Sequence, residues 1–350
     1  MGTHILNSNI FNVNSQEIHQ GPREWVEVDL YLSNLPSGWK YNFSYINNKY
    51  IVENLDSCSD IYMCEKFNGV YSNIPLPSFS KSKTVFYCGL YYKFKRNYMM
   101  VSKDLIEWVQ ISNQSSDDFN FIYVSSDNRL VAINGGNQYY TGIGNTDFIC
   151  IDYSSYIGHH SHLLKDNSGT EFWIYSYDEN NYCLHSTDCG VTFEKETTDV
   201  LPYGVGSCCI DDTNVRWITS NTENVLHAYV ENNHCTFPLE HNKSNITYGH
   251  GIILVTYEET RDETIMPNGI INLNVYLNYG YNDKKLRRYK LSLSNNSNFE
   301  SSGGFENLFF VNDRFVWVRD NLIFYSLPIG SGDWLNGDGE LYDEYGRIII

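Results

Sequence analysis

The sequence predicts an all-β chain folded as a β-propeller, most simply with seven four-stranded blades, six and eight being the neighbouring counts. Three observations carry this: a composition hostile to helices, a short hairpin that recurs, and the spacing of its copies. Ala, the strongest helix former, occurs only at Ala132 and Ala228, whereas Tyr occurs 29 times among 350 residues. Aromatic and β-branched side chains favour strands, so helices are excluded as the main scaffold. The hairpin reads as apolar strand, Asn/Asp/Ser turn, basic residue, apolar strand. Its clearest copies are Tyr45–Val52, Tyr123–Ile133 and Phe310–Trp317. Asn and Asp suit the turn because they tolerate positive φ and bond their own backbone. Looser copies run at Tyr92–Val101, Leu164–Tyr177, Cys209–Thr219 and Ile246–Tyr257. Taking Tyr50, Met99, Leu130, Trp173, Trp217, Leu254 and Phe315 as equivalent gives steps of about 44 residues, within the roughly 40 to 50 of a propeller blade. The steps are uneven, which keeps six and eight blades open.

A second strand pair with polar turns follows each hairpin, as in Ile61–Cys64, Tyr139–Ile151, Val225–Val230, Ile271–Tyr276 and Leu322–Tyr325. Strands this short cannot bury both faces alone, so radial stacking supplies the core. The alternating segment Trp25–Leu32, or Arg347–Ile350, is suited to complete a blade begun at the other end of the chain. No Pro-, Gly- or Ser-rich linker divides the sequence. Residues 25–350 are therefore expected to form one propeller domain, with 1–24 as an N-terminal extension able to serve as a docking arm.

A net charge of -18 argues against a nucleic-acid or anionic-membrane partner. No apolar run of spanning length occurs, so membrane insertion is not expected. The first twenty residues lack a signal-peptide pattern, which places synthesis in the cytoplasm. Nine Cys at irregular spacing, without a CxxC pair, predict mostly free thiols. A Cys183–Cys189 bridge is the minority alternative.

Two segments carry a family resemblance. Ser186-Thr-Asp-Cys-Gly-Val-Thr-Phe193 resembles the Asp-box of sialidase-type β-propellers, and Ser102-Lys-Asp-Leu-Ile-Glu-Trp108 looks like its shortened form. The resemblance implies a turn brace in which Ser186 and Asp188, or Ser102 and Asp104, bond turn amides. Gly190 would take a strained conformation and Phe193 or Trp108 would pack between blades, Thr192 being the motif's Thr. Such a box reports fold, not activity.

Catalytic residues are not expected. A sialidase-like site needs an Arg cluster; of ten Arg, Arg129 and Arg314 are explained by the repeat, while Arg96 and Arg216 are less accounted for. Propeller glycosidases place paired carboxylates on inner strands. The carboxylates here, Asp117, Asp118, Asp211, Asp212 and the run Glu258–Glu263, read instead as turns and loops. His159-His-Ser-His162 lacks further ligands at metal spacing, and Asp333–Glu340 lacks EF-hand spacing, so neither a metal nor a cofactor is expected. Tyr91, Tyr92, Tyr279 and Tyr281 lie near turns, where flat rings with a hydroxyl suit sugar faces or protein partners.

Asn and Tyr enrichment, scarce Ala and a degenerate repeat resemble proteins of AT-rich bacteriophages and other large DNA viruses. That resemblance implies a non-enzymatic virion propeller, in a tail, fibre or capsid, binding another virion protein or a host-surface glycan and able to form homo-oligomers. A propeller glycoside hydrolase and a cellular protein-interaction scaffold are the alternatives.

Overall fold

The computed structural model describes residues 25–29, 41–55, 60–67, 69–75, 82–95, 98–112, 119, 121–134, 136–156, 161–175, 182–197, 204–220, 222–230, 233–239, 245–249, 252–256, 271–280, 286–295, 308–319, 322–326, 340–342 and 348–349. Residues 1–24 of the expected N-terminal arm lie outside them.

The chain is all β. A first strand, β1 (Trp25–Asp29), precedes five blades of four consecutive antiparallel strands. Blade 1 holds β2 (Tyr41–Ile46), β3 (Lys49–Asn54), β4 (Asp60–Cys64) and β5 (Ser72–Pro75). Blade 2 holds β6 (Val85–Tyr87), β7 (Leu90–Lys95), β8 (Tyr98–Ser102) and β9 (Val109–Ser112). Blade 3 holds β10 (Phe121–Val124), β11 (Leu130–Asn134), β12 (Asn137–Thr141) and β13 (Phe148–Asp152). Blade 4 holds β14 (His162–Lys165), β15 (Phe172–Tyr175), β16 (Tyr182–Ser186) and β17 (Glu194–Thr197). Blade 5 holds β18 (Val205–Ile210), β19 (Arg216–Ser220), β20 (Val225–Val230) and β21 (Asn233–Pro238).

The expected seven blades, and the six or eight beside them, are corrected to five. The spacing argument took every hairpin copy as the start of a complete blade. The copy at Ile246–Tyr257 forms only a two-stranded sheet, β22 (Asn245–Gly249) with β23 (Ile252–Thr256). The long interval after it holds two ten-residue strands, β24 (Ile271–Gly280) and β25 (Leu286–Asn295). These share a sheet with β29 (Glu340–Tyr342) and β30 (Ile348–Ile349) from the end of the chain. The last hairpin copy, β26 (Leu308–Val311) and β27 (Arg314–Arg319), continues into β28 (Leu322–Ser326), and β1 lies beside β28. The N-terminal segment Trp25–Asp29 thus joins strands begun at the far end of the sequence.

The chain divides into two compact units, one comprising Glu27–Leu201 with Val316–Tyr325, the other Met1–Val26, Pro202–Phe315 and Ser326–Ile350. Blades 1 to 4 belong to the first and blade 5 to the second.

The turn chemistry follows the sequence. Asn47 and Asn48 (φ 49° and 61°), and Asn312 and Asp313 (φ 44° and 69°), both occupy the left-handed region, as a two-residue type I′ turn requires. Cys88 and Gly89 (φ 49° and 78°) do the same between β6 and β7. Register then follows: Tyr45 faces Tyr50 and Tyr87 faces Leu90.

In the first unit, each interface between neighbouring blades is an apolar cluster. Ile51 and Ile61 of blade 1 meet Tyr91 and Leu105 of blade 2. Tyr92 and Phe94 of blade 2 meet Leu130, Ala132 and Tyr139 of blade 3. Val131 and Ile133 of blade 3 meet Leu163, Phe172 and Phe193 of blade 4. In the second unit, Trp217, Leu226 and Phe237 pack with Ile246, Ile253 and Val255. Among the described residues no cysteine forms a disulfide, Cys183 and Cys189 included.

Gly190 sits at φ 77°, where a Cβ would come within 2.7 Å of both methyls of Val131. Gly190→Ala is expected to cost about 1–3 kcal/mol in thermal or denaturant unfolding through overpacking and backbone strain. Val131→Ala in the same chain should recover only the steric part of that loss, because φ stays positive.

Candidate functional site

The segments Ser186–Phe193 and Ser102–Trp108 are braced turns between the third and fourth strands of their blades. In blade 4 the Gly190 amide donates to Ser186 Oγ (3.0 Å), and the Val191 and Thr192 amides donate to Asp188 Oδ1 (3.1 and 2.9 Å). The Thr192 hydroxyl donates to Asp188 Oδ2 (2.6 Å). Partial burial works against ionisation of Asp188, but these donors outweigh it and hold the carboxyl below its ordinary range. Phe193 is buried between blades 3 and 4, and Gln138 Nε2 of blade 3 donates to the Gly190 carbonyl (2.6 Å).

The shorter segment in blade 2 repeats the scheme with one residue fewer. The Leu105 amide donates to Ser102 Oγ (2.9 Å), and the Ile106 and Glu107 amides donate to Asp104 Oδ1 (2.8 and 3.0 Å). Trp108 Nε1 donates to the Leu105 carbonyl (2.9 Å). Leu105 takes φ 70° while wholly buried against Ile51 and Ile61 of blade 1. Each turn therefore fastens its blade to the preceding one.

The aromatic ligand candidates divide. Tyr91 and Tyr92 are buried, Tyr91 in the cluster joining blades 1 and 2, Tyr92 in the one joining blades 2 and 3, so neither offers a face to a sugar. That expectation is corrected for both: their position next to a turn suggested exposure, but strand alternation and the neighbouring blade cover them. Tyr279 lies in β24, where only the backbone is described, and Tyr281 lies outside the described residues.

Of the carboxylates weighed as catalytic candidates, Asp211 and Asp212 lie among the residues with described side chains. Asp211 is buried in the turn before β19, taking the amides of Thr213 and Val215 (2.8 and 2.9 Å) and Trp217 Nε1 (2.9 Å). Asp212 accepts the Tyr248 hydroxyl (2.8 Å). Arg216 is buried with its guanidinium 5.7 Å from the Tyr229 ring centre. Arg96, Asp117, Asp118, His159, His160 and Glu258–Glu263 lie outside the described residues, as does Asp333–Gly339. Among the described residues no three His, Cys, Asp or Glu side chains converge as metal ligands.

What the structure does assemble is a buried ion pair that the sequence reading missed. Glu53 stands on β3, the second strand of blade 1, and Lys93 on β7, the second strand of blade 2. Both are buried, and Lys93 Nζ lies 2.6 Å from Glu53 Oε1. Asn42 Nδ2 (2.7 Å) and the Thr84 amide (3.1 Å) donate to Glu53 Oε2, and the Thr84 hydroxyl to Oε1 (2.6 Å). Lys93 also donates to the Ser82 carbonyl (2.8 Å), while Ser82 Oγ accepts the Phe94 amide (2.8 Å). Burial pulls Glu53 toward its neutral form, but the Lys93 charge and these donors prevail and lower its pKa. A sequence signal existed: a lone charge within the otherwise apolar runs Tyr50-Ile-Val-Glu53 and Leu90-Tyr-Tyr-Lys-Phe94.

The pair fixes what lies between its partners. Ser82 and Thr84 are buried and bonded, so the alternation of an extended chain turns Lys83 to the other side. Lys83 Nζ lies 5.6 Å from the ring centre of Phe121, the first residue of β10. The ring of His162, the first residue of β14, lies 5.4 Å from that of Phe121, tilted by 51°. All three are half-buried between buried neighbours such as Ile122, Ser161 and Leu163. The strands β6, β10 and β14 carry no Asp or Glu.

In the second unit, His227 Nδ1 and His234 Nε2 lie 3.0 Å apart, beside Tyr229. His227 Nε2 is buried without a hydrogen bond, with Glu223 Oε2 3.7 Å away. Burial, and secondarily His234, lowers the His227 pKa to about 4.

Two measurements follow. Glu53→Gln or Lys93→Met alone should cost about 3–5 kcal/mol in denaturant unfolding, whereas Glu53→Leu with Lys93→Met should cost less than either, since no charge is then left buried alone. In acid, an unfolded His227 protonates near 6.5, ahead of the folded side chain at about 4. Stability should therefore fall as pH drops from about 6.5 toward about 4, and His227→Phe should flatten that slope.

No family model matches the chain, and no curated protein matches it. Solved structures do. Virginiamycin B lyase from Staphylococcus aureus aligns with TM-score 0.56 at 11% identity, over 87% of this chain and 99% of that one. YCF48, solved with a bound peptide, aligns with TM-score 0.54 at 12% identity, over 93% and 99%. A chain of the mitotic checkpoint complex aligns with TM-score 0.56 at 8% identity, over 90% and 94%. At these identities the likeness is one of fold: the chain is a β-propeller.

Proposed function

We propose that the chain is a protein-interaction scaffold whose outer blade edges receive an extended, basic segment of a partner protein. One observation carries this reading: the apolar side chains left in solvent on the fourth strands of blades 2 and 3. Val109 (60% exposed) and Ile111 (47%) stand on β9, and Ile149 (50%) on β13. Each of these strands is outermost in its sheet. Edge strands ordinarily carry charge to prevent pairing with other chains. Blade 4 does so, its outer strand β17 presenting Glu194, Lys195 and Glu196. No residue of β9 is charged. An exposed, uncharged, β-branched edge is suited to strand addition, in which main-chain bonds give affinity and alternate side chains give selectivity.

The net charge of -18 selects a basic segment by electrostatic steering. Propellers of similar fold are found with a bound peptide and in the mitotic checkpoint complex, in keeping with a protein partner. This reading replaces the virion-protein and surface-glycan assignment, which rested on composition.

Selection of randomised linear peptides on the immobilised protein tests it. The expected winners alternate apolar with Lys or Arg residues, and lose about tenfold or more in affinity to the Val109→Lys, Ile111→Lys variant of unchanged melting temperature. Winners that bind that variant equally well, or a selection that enriches nothing, would overturn the proposal.

A further inference from the structure

We propose that a second copy of this chain docks on the turns that join the third and fourth strands of blades 1, 2 and 3, in a two-fold contact centred on Ile106. The contact is independent of the blade edges and goes beyond the scaffold reading. Val70 stands between β4 and β5, Ile106 between β8 and β9, and Ile143 between β12 and β13. Their exposures are 91%, 60% and 64%. A single exposed aliphatic residue is ordinary, but here the same turn of three consecutive blades presents one, where polar residues usually stand.

The three turns belong to one end of the first unit. In a blade of consecutive antiparallel strands, the turn between strands one and two lies at the same end as the turn between strands three and four. Neighbouring blades are joined at that end. Asn47 Nδ2 of blade 1 donates to the Tyr91 hydroxyl of blade 2 (3.1 Å), and the Tyr87 hydroxyl of blade 2 donates to the Asn128 carbonyl of blade 3 (2.9 Å).

The backbone beneath each aliphatic side chain is tied down. The Gly69 amide, beside Val70, donates to the Lys66 carbonyl (3.0 Å). The Ile106 amide donates to Asp104 Oδ1 (2.8 Å), and the Gly144 amide, beside Ile143, donates to the Asn128 carbonyl (3.0 Å). The apolar groups are thus presented before a partner arrives, which lowers the entropy lost on docking.

The charges select the occupant. A patch that docks on an identical patch must carry both members of each ion pair, and a chain of net charge -18 repels its own copy elsewhere. These turns carry both signs. Lys103 and Glu107 flank Ile106, while Lys66 shares the turn of Val70 and Asp147 the turn of Ile143; all four are exposed. Ile106 belongs to the middle blade of the three, so a two-fold axis there exchanges the outer turns. It sets Val70 against Ile143 and Lys66 against Asp147 of the other copy, and Lys103 against Glu107 in both directions. Exposed ion pairs within one copy are worth only about 0–1 kcal/mol, so exchanging them for pairs across the axis costs little. A purely basic partner would meet Lys66 and Lys103, and a purely acidic one would meet Glu107 and Asp147.

Sedimentation equilibrium of the full chain over a range of protein concentrations tests this. The expected result is a reversible monomer–dimer equilibrium whose dissociation constant rises about tenfold or more in Ile106→Glu. Lys103→Glu brings like charges together at two places related by the axis and should weaken the dimer, whereas Lys103→Glu with Glu107→Lys should restore it. A merely structural effect on the turn would show no such rescue, and the charge variants carry the test if Ile106→Glu fails to fold. A single monomeric mass at every concentration, a dimer indifferent to Ile106→Glu, or charge reversal without rescue would overturn the proposal. So would a dimer dissolved only by Val109→Lys, Ile111→Lys, which would place the contact at the blade edge.

Discussion

A four-stranded blade with strands of three to six residues has two faces and can cover neither. The rest of this structure depends on that constraint. In the first unit each blade closes its neighbour's face, and the residues that do so come chiefly from two places: alternating positions of the inner three strands, and the turn before the fourth. Leu105 and Phe193 are both delivered by such turns, one per braced segment. Because the fastening elements are turns, their backbone must be rigid. A leucine at φ 70° and a glycine packed against Val131 persist only because side-chain hydrogen bonds over-determine the loop.

Within an apolar interface a charge is tolerated only when every polar atom around it is satisfied. The Glu53–Lys93 pair meets that condition by recruiting Asn42, Thr84 and Ser82. Two apolar residues of similar volume would serve stability equally well or better. What they could not do is hold the connection into β6 by its own amide and carbonyl. The pair is better understood as a device that fixes the orientation of one short segment, and with it the direction in which Lys83 points.

Much of the fold was legible because it is local. Asn47-Asn48 and Asn312-Asp313 announce two-residue turns, and apolar alternation fixes which face is buried. In the two Ser-x-Asp segments the Ser and Asp side chains accept turn amides. The blade count was not legible, because β24 and β25 interrupt the repeat with strands twice the usual length, and partners of those strands come from residues past 340. Pairing at that sequence distance leaves no periodic trace. The buried pair was hidden for a related reason: Glu53 and Lys93 belong to two blades, and only the fold brings them together. Tyr91 and Tyr92 looked available for the opposite reason: proximity to a turn is visible in sequence, and the neighbouring blade that covers them is not.

The acidity of the chain acquires a different meaning in this light. Asp104, Asp127, Asp166 and Asp188 each cap a turn and each titrates below its ordinary range. For Asp104 the main cause is the backbone amides of Glu107 and Ile106; for the other three, burial opposes ionisation and is outweighed by hydrogen bonds, chiefly from Ser125 and Arg129, Ser168, and Thr192. A carboxylate that must stay ionised to brace a turn contributes stability above its unfolded pKa, and that contribution is lost only as pH falls through the lower folded value. Part of the negative charge is therefore structural, a consequence of using Asp where a tighter turn would use Gly. Part of the surface field thus comes from residues whose first task is to brace turns, and such a field disfavours polyanions.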